Sequence, residues 1–278
     1  MNQISNFTDI LDSYKEQIWP IIDNYIDSSL LFEKCCEIKP KYQYLVDYHR
    51  KMIRAYPERK GKYVRPSLVA ITAQAMGVSL EKALQTAAAM QVSEEWILIH
   101  DDMEDDSRER RGDKTLHRMY GKELAVNAGD ALHIVMWKLL TNNQKIIGED
   151  KTFMVIDEFS QMLNRTVLGQ TIESKWTREN KTDLTDKDIL LVLESKTGYY
   201  TIAGPMRLGA ILAGANKLQL AKIYEFGKLL GYCFQIKDDL LDITSDFAGL
   251  KKQMGNDIYE GKCTIMLAHL LGSAKLED

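Results

Sequence analysis

Residues 82–106 read KALQTAAAMQVSEEWILIHDDMEDD, an apolar stretch that runs directly into a cluster of acids. Apolar side chains that recur at steps of three and four residues predict a helix with one buried face. The stretch has this spacing, and the face comprises Leu84, Ala87, Ala88, Gln91, Val92, Glu95, Trp96 and Ile99. We therefore predict a buried helix that ends in the acidic cluster.

Proline positions allow similar helices along most of the chain. Residues 67–204 and 206–278 contain no proline, and proline breaks helix interiors. Further helical spacing occurs at residues 8–31, 41–56, 66–76, 121–141, 152–174, 187–213, 218–244 and 262–271. Short polar breaks occur at 57–62, 107–115, 142–151, 175–186 and 245–257. The pattern predicts one all-α domain of roughly eight to ten helices.

Composition and charge exclude several classes of protein. Of the 278 residues, 45% are apolar, which excludes a disordered chain and suffices for a sizeable core. The formal charge of −4 gives no general attraction to nucleic acid or to an anionic membrane. No uncharged run is long enough for stable membrane insertion, and the N-terminus lacks a signal-peptide pattern. The four cysteines form no C-x-x-C pair, so we expect a cytoplasmic protein with reduced thiols.

Two segments share the pattern D-D-x-x-D: DDMED at residues 101–105 and DDLLD at residues 238–242. On a helix the first and last aspartates of this pattern share a face, where like charges repel by roughly 0.2–0.5 kcal/mol per pair. A solvated helix end is the simpler interpretation of one such cluster alone. Two clusters, each behind an apolar segment, favour Mg²⁺, which shares its ligands between carboxylates and substrate phosphates. The predicted metal ligands are Asp101, Asp102, Asp105, Asp238, Asp239 and Asp242.

Basic residues recur in short motifs near these acids. Arginine binds phosphate through two parallel hydrogen bonds, whereas lysine acts as a point charge. Each basic residue alone is typical of a protein surface, but together with two Mg²⁺-type motifs they indicate a diphosphate site. The residues concerned are Lys62, Arg65, Arg110, Arg111, Lys196, Lys252 and Lys262.

The motifs occur in a specific order. They are G-K-x-x-R-P (61–66), D-D-x-x-D (101–105), R-R-G (110–112), K-T-G (196–198), F-Q-x-x-D-D-x-x-D (234–242) and G-x-D-x-x-x-G-K-x-T (255–264). This set resembles the polyprenyl synthetase family, the trans-isoprenyl diphosphate synthases. The resemblance implies an all-α helical bundle of the isoprenoid synthase type around a central cavity. Residues 1–278 would form a single such domain that lacks the last helices of the family.

The resemblance also implies an activity, the condensation of isopentenyl diphosphate with an allylic diphosphate. Three Mg²⁺ ions would bridge the two acidic motifs, across the cavity, to the allylic diphosphate. The residues completing this clamp would be Arg110, Lys196, Lys252 and Lys262. The residues lining the developing allylic cation would be Thr197, Phe234 and Gln235. Those holding isopentenyl diphosphate would be Gly61, Lys62, Arg65 and Arg111, and the family further implies a homodimer.

One position departs from the family pattern. Members usually carry His or Gln seven residues before the first aspartate, in contact with isopentenyl diphosphate, whereas this chain carries Glu94. A carboxylate beside a diphosphate is unfavourable unless a cation neutralises it. We therefore expect Glu94 to pair with Lys62 or Arg65, or to turn away from the site.

Product length is indicated by the fifth and fourth positions before the motif, Trp96 and Ile97. An aromatic residue at the fifth position with an aliphatic residue at the fourth resembles the pattern of those family members that make twenty-carbon products. The resemblance thus implies geranylgeranyl diphosphate first and farnesyl diphosphate second. The alternative is that Trp96 packs sideways into the core and another helix limits the product.

Two other functions remain open at this point. A terpene cyclase would use the same ionisation, but cyclases of that type generally lack a second full D-D-x-x-D. A non-catalytic regulatory subunit of a heteromeric synthase would lose acidic motifs, and both are intact here. Only Glu94 and the short C-terminal segment favour the regulatory subunit.

Overall fold

The computed structural model describes residues 6–244 and 255–273, and the prediction of an all-α fold is confirmed. No helix among these residues is long and apolar enough to cross a membrane. The α-helices are α1 (Phe7–Ser29), α2 (Gln43–Glu58), α3 (Val64–Ala75), α4 (Leu80–Glu104), α5 (Leu116–Tyr120), α6 (Lys122–Asn142), α7 (Gln144–Ile147), α8 (Glu149–Arg178), α9 (Asp186–Val192), α10 (Gly204–Leu212), α11 (Lys217–Thr244), α12 (Asn256–Glu260) and α13 (Ile265–Ser273). A π-helical segment, Leu193–Ala203, joins α9 to α10, and β1 (Glu109–Arg110) pairs antiparallel with β2 (Asp113–Lys114).

Observed and predicted elements differ in a few places, each with a local cause. The predicted break at 142–151 is wrong, because α7 and the start of α8 occupy it and only Gly148, with φ of +82°, separates them. The predicted break at 107–115 contains the small hairpin, which is too short to show strand periodicity.

The chain divides into two compact units. Unit 1 comprises Met1–Ile156 with Leu208–Gly214, and unit 2 comprises Asp157–Arg207 with Ala215–Asp278. Each unit has its own buried apolar side chains. The single domain inferred from the sequence therefore stays a prediction.

Helix α4 lies at the centre of unit 1, where it packs against α1, α3 and α6. The sequence predicts one buried face for α4, but the structure also buries residues outside that face, including Ala83, Ala89 and Met90. Alanine side chains are short, so neighbouring helices can approach α4 from several sides. This packing fixes the position of the acidic end of α4.

Helix α11 packs against the π-helical segment in unit 2, and glycines form the contact. A Cβ atom on Gly231 would overlap the Cα of Gly198, and one on Gly227 would lie 2.5 Å from the Cα of Ala203. Gly227 and Gly231 are four residues apart, so they share one face of α11. The two backbones touch because Gly231 faces Gly198, which also lacks a side chain, and Gly227 faces Ala203, whose side chain is one methyl group.

This contact predicts a strong effect of one methyl group. Gly231→Ala should lower the free energy of unfolding by about 1–3 kcal/mol, the usual cost of overpacking a close contact. The matched control is Gly272→Ala in α13, where an added Cβ would meet nothing within 4 Å. That change should leave stability equal or slightly higher, because alanine favours the helix. Denaturant unfolding of both variants tests the contact, and equal stabilities would contradict it.

Candidate functional site

The first acidic motif lies at the C-terminal end of α4, as predicted. Asp102 is fully buried, and its carboxylate accepts a hydrogen bond of 2.7 Å from the hydroxyl of Tyr56. The guanidinium of Arg110 also binds this carboxylate, with Nε at 2.9 Å from Oδ2. Because a buried carboxylate at a negative helix end is unfavourable, Arg110 supplies the compensating charge. Asp101 and Asp105 are only partly buried.

A tight turn presents Arg110 and Arg111 to α4. The two central residues of the β1–β2 turn, Arg111 and Gly112, have φ of +53° and +84°, as a type I′ turn requires. Arg59 at the end of α2 holds the hairpin by donating to the carbonyl oxygens of Arg110 at 3.0 Å and Lys114 at 2.9 Å. Arg59 belongs to none of the sequence motifs, so it was not predicted as a site residue. The R-R-G motif is thus a turn that directs two guanidinium groups.

Arg111 lies among two glutamates of α4. Its Nη1 donates to Oε2 of Glu95 at 2.8 Å, and its Nη2 lies 3.3 Å from Oε1 of Glu94. Glu94 also pairs with Arg65, at 3.3 Å, so one of the expected pairings is confirmed. Glu95 was not predicted as a site residue, although its position on the apolar face was a signal for a buried carboxyl. Burial raises the pKa of Glu95, and the charge of Arg111 opposes that shift.

Gly61 fits this arrangement for a steric reason. A Cβ at this position would lie 2.7 Å from Nη2 of Arg111, so the glycine leaves room for the guanidinium. Lys62, the next residue, is exposed. The structure therefore brings Gly61, Arg65, Glu94 and Arg111 of the predicted isopentenyl diphosphate group together.

The second acidic motif lies near the end of α11 in unit 2. Asp239 is 5% exposed, and its Oδ1 accepts a hydrogen bond of 2.7 Å from Nε2 of Gln235. Oε1 of Gln235 in turn accepts from the hydroxyl of Thr197 at 3.0 Å. Burial, reinforced by the nearby carboxylates of Asp257, Asp238 and Glu173, raises the pKa of Asp239 to about 6.

Other predicted residues of unit 2 surround this chain of hydrogen bonds. Lys196 pairs with Glu173 at 2.6 Å, a partner that the sequence analysis did not identify. Phe234 is exposed, and Lys262 is half-buried. Asp242 accepts from the backbone N–H of Asp257 at 3.2 Å, which links the last two motifs. Lys252 lies outside the described residues.

Both acidic motifs follow one pattern. The middle aspartates, Asp102 and Asp239, are buried and hydrogen-bonded by the protein, whereas the outer aspartates remain at least partly exposed. Within residues 6–244 and 255–273, no three His, Cys, Asp or Glu side chains lie close enough to hold a metal ion by themselves. The donor set still suits Mg²⁺, because this ion completes its shell with water and substrate phosphates. The six aspartates as Mg²⁺ ligands therefore stay a prediction.

Trp96 is buried between α4 and α6. Its ring centroid lies 4.7 Å from that of His133 and 5.7 Å from that of His100. Its indole N–H is buried without a hydrogen-bond partner among the described residues. Ile97 is only partly buried. The stacking on His133 agrees with sideways packing and leaves the control of product length as a prediction.

Comparisons with known proteins agree with this architecture. A family model described as Polyprenyl synthetase matches residues 46–278. The short chain isoprenyl diphosphate synthase of Methanothermobacter thermautotrophicus is 32% identical over 219 residues, which cover 78% of this chain and 65% of that protein. The geranylgeranyl diphosphate synthase of Sulfolobus acidocaldarius is 33% identical over 218 residues, with the same coverage. The chain thus spans about 65% of the length of these curated relatives.

A solved structure shows the same fold. The geranylgeranyl pyrophosphate synthase of Corynebacterium glutamicum, crystallised with isoprenyl diphosphate and magnesium, superposes with a TM-score of 0.82 at 26% identity. The match covers 93% of this chain and 76% of that one.

The raised pKa of Asp239 predicts a gain in stability from its amide analogue. The carboxyl group of Asp239 keeps its proton up to about pH 6 in the folded protein, but only up to about pH 4 in the unfolded chain. The folded protein therefore loses stability as the pH rises from about 4 to about 6. Asp239→Asn should therefore stabilise the metal-free protein by about 1–3 kcal/mol at pH 7.5 and by less at pH 5. Thermal unfolding in EDTA at both pH values measures this. The exposed control Asp183→Asn should change stability by less than about 0.5 kcal/mol, and an equal effect of both variants would contradict the prediction.

Proposed function

Since the chain belongs to the polyprenyl synthetase family, we propose that it is a trans-prenyltransferase. It condenses isopentenyl diphosphate with an allylic diphosphate and releases a short-chain prenyl diphosphate and pyrophosphate. The observation that carries the proposal is the shared pattern of the two acidic motifs, in which the middle aspartate is buried and hydrogen-bonded while the two outer ones are at least partly exposed. A solvated acidic surface has no need for buried, hydrogen-bonded carboxylates.

We propose that the outer aspartates of the two motifs, Asp101, Asp105, Asp238 and Asp242, are carboxylate ligands of Mg²⁺, with three ions expected. When bound, Mg²⁺ neutralises the charge that develops on pyrophosphate as the allylic C–O bond breaks. Arg110 binds the Asp102 carboxylate and holds it in place, which fixes the last turn of α4. Lys196, Lys252 and Lys262 add positive charge to the same diphosphate.

The allylic cation needs polar groups with a fixed orientation. Thr197 and Asp239 hold the Gln235 amide from both ends, so its dipole cannot rotate. The exposed ring of Phe234, one residue earlier, offers a π-face to the cation. A fixed amide dipole and a π-face are what a preorganised site for a developing charge requires.

The second substrate, isopentenyl diphosphate, is held by Gly61, Lys62, Arg65 and Arg111. Its double bond attacks the allylic cation, a carbon–carbon bond forms, and a proton passes to the released pyrophosphate. The chain therefore needs no side chain as general base.

We also propose a homodimer and a twenty-carbon product, with the fifteen-carbon product as the second choice.

The reaction is tested by incubating the protein with labelled isopentenyl diphosphate, an allylic diphosphate and Mg²⁺. Asp101→Ala and Asp238→Ala should each lower the rate at least about 100-fold, the scale for one transition-state charge contact. Asp150→Ala, an exposed acid of α8, is the control and should retain the full rate. Hydrocarbon formed from the allylic diphosphate alone would identify a cyclase instead, and no turnover would support a regulatory subunit.

Product length is tested separately with Trp96→Ala. Trp96 lies five residues before Asp101, about 7.5 Å along the helix, and removing its ring leaves space that the fold does not readily refill. The variant should make longer products, as read by chromatography after dephosphorylation. Trp19→Ala, which removes a half-buried tryptophan from α1, should leave the length unchanged. If Trp96→Ala also makes products of the original length, Trp96 does not limit the chain.

A further inference from the structure

Glu94 occupies the position between two arginines that a bound anion would take. Its Oε2 lies 3.3 Å from Nη1 of Arg65, and its Oε1 lies 3.3 Å from Nη2 of Arg111. Arg65 belongs to α3 and Arg111 to the hairpin turn, so one carboxylate joins two elements of unit 1. A phosphate group would use the same guanidinium donors with the same kind of charge-assisted hydrogen bond.

Glu95 has a different role, although it is the neighbour of Glu94. It is fully buried, binds Nη1 of Arg111 through both oxygens at 2.8 and 3.0 Å, and accepts from Gln91 at 2.6 Å. Separating this buried pair would leave a charge without compensation, which is costly. Glu95 therefore fixes Arg111 and leaves its Nη2 directed at Glu94.

Glu94 is the member of the pair that can move. Its side chain retains 13% exposure, whereas that of Glu95 has none. Lys62, Arg65 and Arg111 carry three positive charges, and Glu94 and Glu95 offset two of them. An anion that binds here gains the two guanidinium groups only after it displaces the Glu94 carboxylate into water.

We propose that Glu94 is a specificity-determining residue, an internal competitor that weakens diphosphate binding at Arg65 and Arg111. The inference rests on the proposed function, in which these arginines hold isopentenyl diphosphate. Its consequence is a second-substrate subsite that fills only at high substrate concentration. The ligand class is a diphosphate monoester, whose two phosphates can replace the carboxylate on both arginines at once.

The direct test is a binding measurement that needs no catalysis. Inorganic pyrophosphate and isopentenyl diphosphate are titrated calorimetrically in EDTA into the wild type, Glu94→Gln and Glu94→His. Each variant should bind both ligands at least about 10-fold more tightly, because the guanidinium donors that bind the Glu94 carboxylate in the wild type become available to the ligand. The control Glu16→Gln removes an exposed charge of α1 and should leave both affinities unchanged. Unchanged affinity in both Glu94 variants, with thermal unfolding intact, would overturn the proposal.

A double-mutant cycle distinguishes competition from a general effect of charge. If Glu94 acts by occupying Arg65, the gain from Glu94→Gln should shrink at least about threefold in an Arg65→Gln background, because contacting residues are not additive. Equal gains in both backgrounds would reject competition at Arg65.

Steady-state kinetics provide a readout that structural damage would not mimic. Glu94→Gln should lower KM for isopentenyl diphosphate about 10-fold with kcat within about twofold of the wild type, the signature of changed substrate binding without changed chemistry. A fall in kcat with unchanged KM would contradict the inference. If the wild type shows no turnover, the proposed function fails, whereas the pyrophosphate titration still decides the role of Glu94.

Discussion

The ion pair between Asp102 and Arg110 is the interaction on which the rest of unit 1 depends. A carboxylate with no exposure at the negative end of a helix requires a cation, and Arg110 reaches it only from the β1–β2 turn. Once the turn is fixed there, Arg111 necessarily faces Glu94 and Glu95. Tyr56 and Arg59 then tie the same hairpin to α2. One buried charge thus orders four elements.

In unit 2, the second acidic motif also buries a carboxylate, but a different kind of group binds it. Asp239 is also buried, but it accepts a hydrogen bond from the neutral amide of Gln235 rather than from a guanidinium. Nearby carboxylates add repulsion, so the pKa of Asp239 rises to about 6. Two motifs with the same letters therefore compensate their buried carboxylates differently: a guanidinium binds Asp102, whereas a neutral amide binds Asp239.

Periodicity and proline positions predicted the helices well, because burial of one face leaves a regular trace in the sequence. The motifs also predicted that Arg65, Arg111, Gly61 and Glu94 share one site. Arg59 and Glu173 could not be found in this way, since each acts through a fold contact with residues distant in sequence. The burial of the middle aspartates could not be predicted either, because the D-D-x-x-D pattern does not distinguish a metal ligand from a buried carboxylate that the protein itself binds.

The glycine contact between α11 and the π-helical segment limits how unit 2 can change over evolutionary time. Gly231 and Gly198 meet backbone to backbone, and both are already the smallest residue. A larger residue on one side cannot be accommodated by a smaller one on the other, so no compensating pair of substitutions exists there. Substitutions on the other faces of α11 escape this limit, whereas the contact itself keeps Thr197 within hydrogen-bond reach of Gln235.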